Sequence, residues 1–240
     1  MNIKNLLFLS IIILNLMAKA KNETKIYSYH IKPPFIVEEK AQKGLTFDFV
    51  NLLNKHSTLK YKLVIIPKKR LDELSEKIVL WTNQNWVRND KDYTWITTYL
   101  KDADVIIFNK KLAKSYKDIT SLFGNQLVCV RGYFYNGLMD YFDSKKIERV
   151  DVNKEYQVIR VINRNRYNYG LISLSAFNYI TTKNSEYSSL TYSKKLQDQF
   201  LRHIQSSKSN SKINSDLESV VKKPAFIKEL KMIFTQYNLK

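Results

Sequence analysis

Cys129 is the one cysteine in 240 residues, so no disulfide can form within the chain and its fold must be held by packing. Five glycines and four prolines leave little room for a phosphate-cradling glycine loop or a proline-rich linker. The three histidines, His30, His56 and His203, sit on separate stretches with no HExxH spacing and no cysteine pair, which removes the common zinc signatures. No GxSxG elbow is present, and no catalytic constellation or cofactor motif is legible. Acid is scarce as well: 22 Asp and Glu stand against 40 Lys and Arg, a formal net charge of +18. The basic residues come as scattered pairs, such as Lys68-Lys69 and Lys145-Lys146, interleaved with acids. That pattern reads as a solvated surface with a long-range preference for anions, and no nucleic-acid partner is implied.

What is present begins with residues 1–20. Lys4 precedes an apolar run from Leu6 to Ala18, which ends in the small-x-small triplet Ala18-Lys19-Ala20. This is the pattern of a secretory signal cleaved after Ala20, and the run falls short of the roughly 20 residues a spanning helix needs. Cleavage predicts a periplasmic chain of about 220 residues, long enough for one large domain or for two lobes with cores of their own. With it go Lys4 and Lys19 and no acid, so the net charge falls by two.

Along the mature chain, "KIYSYHI" alternates as a strand, and Pro33-Pro34 end it, because proline lacks the amide a sheet ladder needs. Phe35 follows at a rigid point, as a core side chain or a ligand-facing one. Gly44 opens a helix whose Leu45, Phe49, Leu52 and Leu53 form one apolar face. Strands are expected at Leu59–Pro67 and Ile78–Trp81 with a helix over "KKRLDELSEKI" between them, and a fully buried strand at "DADVIIF". From Asn109 the pattern restarts, with strands "NQLVCVR", "IERVDV" and "RYNYGLIS" alternating with helical stretches. Cys129 in the first of these strands reads as a small buried hydrophobe. The tail from Lys194 reads as helices interrupted at Ser206 to Lys212, with Pro224 in the first turn of the last one, packing back onto the first lobe.

The segments "YHIKPPFIVEEKAQKGLTFDFVNLLN", "KKRLDELSEKIVLWTNQNW", "GNQLVCVRGYFYNGL" and "RYNYGLISLSAFNY", in this order after a signal peptide, resemble the type 2 periplasmic solute-binding proteins, in particular their amino-acid-type branch of transporter substrate-binding domains. The resemblance spans the mature chain. It implies an α/β protein of two lobes, each a mixed, mostly parallel sheet with flanking helices, closing on a ligand held between them. The lobes are expected at residues 21–108 plus 190–240 and at 109–189, with hinges near Phe108 to Lys111 and Glu186 to Tyr192. A monomer is implied that captures a small polar solute and hands it to a membrane transporter permease; a receptor-coupled sensory module and, less favoured, an exported enzyme are the alternatives.

The resemblance also places the loop with Phe35 at the cleft. Trp81, Asn83 and Trp86 cluster after a first-lobe strand, where an indole and an amide would stack on and fix a flat ligand. Trp81 suits the cleft or the core equally, and Trp95 suits the core. Arg131 and Tyr133 flank Gly132 at a second-lobe strand end, a place for an anion. In amino-acid binders of the family a first-lobe arginine grips the ligand carboxylate; Arg88 and Lys91 match that place loosely. Where those binders put an aspartate for the ligand ammonium, this chain has Ser173, and no Asp or Glu occurs from Tyr156 to Ser185. The expected solute is therefore anionic or neutral rather than a zwitterion, because a buried ammonium needs a carboxylate.

Overall fold

The computed structural model describes residues 23–87, 89–111, 116–195 and 197–239, so the signal segment and Arg88 lie outside the described residues. β1 (Thr24–Ser28) pairs in parallel with β2 (Tyr61–Ile65) and with β3 (Ile78–Thr82). Between β1 and α1 (Leu45–His56) the chain turns through Pro33-Pro34 and folds back on itself. The amides of Leu45 and Thr46 bond to the carbonyls of Pro34 and Phe35 at 2.9 and 3.0 Å. Gly44 makes this fold-back possible: its φ is 139°, and a Cβ there would lie 2.5 Å from the Phe35 carbonyl oxygen. The predicted face of α1 is the buried one.

The expected long helix after β2 is only α2 (Lys68–Asp72). One of its five residues, Leu71, is buried, and the Lys77 ammonium takes the Leu71 carbonyl at 3.1 Å, so nothing rewards a further turn.

β4 (Tyr93–Asn109) and β9 (Asp198–Ser207) are the long strands that join the halves. They run antiparallel from Tyr93↔Ser207 to Asp104↔Asp198, with a register slip between Thr97 and Lys101 where Tyr99 takes a left-handed φ of 61°. β3 pairs with β9 on one side. On the other, β4 continues against β7 (Tyr169–Ser173) and β8 (Leu190–Tyr192), and β5 (Gln126–Val130) lies parallel to both β7 and β6 (Glu148–Val152). The sheet order is β2-β1-β3-β9-β4-β7-β5-β6, two parallel trios joined through an antiparallel pair, with β8 beside β4.

β9 corrects the sequence reading, which made this tail helical. Phe200, Arg202 and Ile204 turn inward while Leu201 is exposed, a period of two that an arginine at an inward position disguises.

Two lobes pack on this ribbon. The first core gathers β1, α1, β3, the start of β4 and the last helices α6 (Ser211–Val221) and α7 (Pro224–Gln236), with Leu217, Phe226 and Leu230 fully buried; Pro224 sits in the first turn of α7, as expected. The second lobe buries Val128 and Val130 against α4 (Glu155–Asn163) and α5 (Leu174–Lys183) on one sheet face. Leu127 and Cys129 alternate onto the other, near α3 (Met139–Asp143). Burial pushes the Cys129 thiol up to about 12, consistent with a packing role. Val105 to Phe108 and Leu190 belong to the second lobe's cores. β4 and β9 pair out to Asp104↔Asp198, and at the expected hinges Lys110 is bonded to Ser188 and Ser189. Among the described residues no helix is long and apolar enough to cross a membrane.

Candidate functional site

A cavity of about 400 Å³ lies between the lobes, within the range of small-molecule sites. The first lobe supplies Tyr29, His30 and Lys32 from the loop after β1, Lys68 from α2, and Asn85, Trp86 and Val87 from the turn after β3. The second supplies Asp104 from β4 and the run Gly132 to Tyr135 after β5; Phe200 and Arg202 of β9 complete the wall. A neighbouring hollow of about 460 Å³ shares Tyr29, Lys68, Trp86 and Val87 and adds Asp72, Lys77, Tyr93 and Gln205.

The back of the cavity is an arginine held in place by its surroundings. Arg202, 1% exposed, pairs with Asp102 through Nε at 2.8 Å and Nη2 at 2.7 Å, and its Nη1 donates to the Trp81 carbonyl at 2.9 Å. The guanidinium lies 4.7 to 5.3 Å from the ring centres of Phe35, Phe200 and Trp86. Asp102 in turn accepts the backbone N–H and hydroxyl of Ser175 and the amide of Ala103, which ties β4, β9 and the start of α5 together.

Lys32 is the second buried cation. Its ammonium bonds to Glu155 at the start of α4 and to Ser173 Oγ at 3.2 Å, and lies 5.2 Å from the centre of the Tyr133 ring. Burial opposes its charge, but the Glu155 carboxylate more than offsets this and holds the pKa above the ordinary lysine value. His30 is kept neutral by burial, then by the charges of Arg202 and Lys32.

Asp104 is the acid of the cavity with no bonded counter-charge. Among the described residues its carboxylate has neither a hydrogen bond nor an ion pair. Burial raises its pKa to about 7; Lys32 and Arg202 pull it down, and Asp102 and Asp198 push it up. The folded carboxyl keeps its proton to about pH 7 while an unfolded one loses it near 3.8, so the native state binds more protons between these values and stability falls as pH rises through the window. Asp104→Asn is expected to stabilise the fold above pH 7, by at most about 4 kcal/mol of unfolding free energy, with the gain shrinking toward pH 4. Thermal melts of both proteins across that range check it; an equal shift at every pH would assign the effect to packing instead.

The sequence-predicted residues divide. Trp86 and Tyr133 line the cavity. Phe35 and Trp81 do not: both are fully buried in the first core, where the Trp81 indole N–H donates to Thr46 Oγ1 at 3.0 Å and its ring packs on Phe49 and Phe35. Phe35 acts from behind, under the Arg202 guanidinium. Asn83 is a structural hinge for Trp86, donating to the Leu201 carbonyl at 2.9 Å and accepting the Asn85 amide. Arg131 is exposed and outside the cavity wall, because the turn after β5 points Gly132 and Tyr133 inward in its place. Ser173 is buried behind Lys32. Trp95, expected in the core, is partly exposed and donates to the Asp90 carbonyl.

Lys32, Asp104, Glu155, Phe200 and Arg202 escaped sequence reasoning. The signal was there in "DADVIIF", whose two acids break an otherwise apolar strand, and in the inward row of β9. No acid comes from the Tyr156 to Ser185 window, and the carboxylate on the cavity wall is supplied by another segment, Asp104 of β4.

No family model and no curated protein matches the chain. Solved structures do. A mutant of ArgBP from T. maritima superposes with a TM-score of 0.70 at 15% identity, over 92% of this chain and 97% of that one. The GluR0 ligand-binding core from Nostoc punctiforme, in complex with L-glutamate, gives 0.69 at 10% identity over 89% and 98%. The periplasmic VFT2 domain of Bordetella pertussis BvgS gives 0.66 at 13% over 93% and 96%. At these identities the likeness concerns the fold, which is the two-lobed type 2 periplasmic-binding-protein fold.

Proposed function

We propose that this chain is an extracytoplasmic binding protein without catalytic activity that captures a small polar solute between its lobes and delivers it to a membrane transporter. The observation that carries the reading is the 400 Å³ cavity whose wall is drawn from both lobes and from the strands that join them. A site divided in this way converts occupancy into a change of lobe position, which is what a membrane partner can recognise. The same logic serves a receptor, and the likeness to a histidine kinase sensor domain, with a TM-score of 0.70 at 8% identity, favours a sensory module as the second reading. The lining suits a solute with a flat or apolar body, set against Trp86, Phe200 and Tyr133, and a polar edge toward Asp104 and Asn85.

A thermal-shift screen of the chain from Lys21 onward, followed by calorimetry of the hits, tests capture. A solute at about a hundred times its dissociation constant should stabilise the protein by about 2.7 kcal/mol. Trp86→Ala is expected to weaken any such solute about tenfold, while Trp95→Ala leaves its affinity unchanged. A hit equally insensitive to both would place binding outside this cavity, and a broad polar library without hits would count against capture. Co-purification from membranes with a permease or with a receptor separates the two readings.

A further inference from the structure

We propose that Lys32 is a tethered surrogate for a captured amine: its ammonium fills an acceptor corner of the second lobe, holds the lobes together while the cavity is empty, and shuts that corner to solutes bearing a primary ammonium. The inference rests on the reading of the cavity as a capture site and adds what controls it.

The contacts cross from one lobe to the other. Lys32 belongs to the first lobe, in the loop between β1 and α1, where the Ile36 amide bonds back to its carbonyl at 2.9 Å and two prolines follow. Its three partners belong to the second: Glu155 opens α4, Ser173 ends β7, and Tyr133 follows β5. A carboxylate, a hydroxyl and an aromatic face are the groups that would receive a ligand's ammonium, and here they receive a side chain of the protein. The lysine and glutamate side chains are 8% and 2% exposed, so the pair is removed from water as a bound solute would be.

Position strengthens the case. Lys32 lines the cavity, whereas Glu155 and Ser173 do not; the lysine stands between them and the open space. The corner continues inward, since Ser173 Oγ lies 3.3 Å from Ser175 Oγ, which donates to Asp102. Swinging the lobes apart must pull the ammonium out of this corner and break its contacts with Glu155, Ser173 and Tyr133, so these contacts favour the closed arrangement. A solute with its own ammonium would have to evict Lys32 to use Glu155.

Truncation with chemical rescue tests this without knowledge of the natural solute. Lys32→Ala removes three carbons and the nitrogen, which n-propylammonium replaces atom for atom. A compact chain of this length has a radius of gyration of about 17 Å. With the cavity empty, the wild type is expected near that value and indifferent to n-propylammonium beyond a potassium chloride control. Lys32→Ala is expected about 1 Å larger by small-angle scattering. It should return to the wild-type radius, with a raised melting temperature, as n-propylammonium saturates it, and adding Glu155→Gln should abolish that rescue.

A Lys32→Ala protein as compact as the wild type, or one opened but deaf to the amine, would overturn the proposal. If Lys32→Ala folds only when the amine is present, that dependence itself supports the surrogate role. If it does not fold at all, Lys32→Met with Glu155→Gln, a neutral pair of similar shape, decides: an enlarged radius supports the latch and a wild-type radius ends it. A wild type that captures no solute in the screen would end the capture reading and leave the amine result standing; a compact Lys32→Ala that still binds solute would end the latch alone.

Discussion

Arg202→Met is expected to cost about 3 to 5 kcal/mol of unfolding free energy, the loss typical of breaking a buried ion pair from one side. The guanidinium does three jobs at once. It neutralises Asp102, satisfies the Trp81 carbonyl, and lies against three aromatic rings at the back of the cavity. Methionine keeps much of the packing and none of the charge, so Asp102 is left as a buried carboxylate bonded only to neutral donors from Ala103 and Ser175. The second substitution Asp102→Asn removes that charge while an amide oxygen can still accept from the same N–H groups. The double variant should therefore recover about half of the loss despite carrying two changes. Urea denaturation of the four proteins of the cycle measures it; strictly additive losses would mean that the pair contributes only packing.

Trp81→Ala carries the second large effect. The indole is fully buried, packs with ring centres 4.8 Å from Phe49 and 5.6 Å from Phe35, and spends its N–H on Thr46. Truncating it leaves a cavity in the middle of the first core and an unpaired hydroxyl, for a loss of about 3 to 5 kcal/mol. Trp95→Ala, at a partly exposed ring, is expected to cost about 1 kcal/mol or less. Denaturation midpoints for the two variants, read beside solute affinities, distinguish core from cleft. Equal losses would return Trp95 to the core, where a large apolar ring was expected.

The architecture was legible because its main signals are local. Alternation in "KIYSYHI", the i, i+4, i+7, i+8 face from Leu45 to Leu53, and the apolar runs around Val128 and Ile172 each report burial on one side of one element. The site was less legible because its chemistry is made by partners far apart in the chain. Lys32 and Glu155 are separated by 123 positions and Arg202 and Asp102 by 100, and nothing within a window of ten residues announces either pair. Asp102 and Arg202 also sit on strands where a short-range reading expects apolar side chains, which is why β9 was taken for helix and "DADVIIF" for plain core. Trp81 misled for the opposite reason. A large aromatic at a strand end serves a cleft or a core equally well, and only the position of Thr46 and Phe49 decides between them.

The placement of β9 between β3 and β4 reaches beyond the cavity to the order in which the molecule can assemble. The second lobe draws its strands β5 to β8 and the end of β4 from one stretch of chain, between the paired Asp104 and Asp198. The first lobe does not: its sheet lacks a central strand, and its core lacks Leu217, Phe226 and Leu230, until the last forty or so residues arrive. A chain emerging from its amino end, at a ribosome or through a membrane pore, thus holds β1 to β3 with their apolar faces uncovered while the middle of the molecule is already complete. The first lobe's core is therefore expected to close only once β9 and the last two helices have emerged.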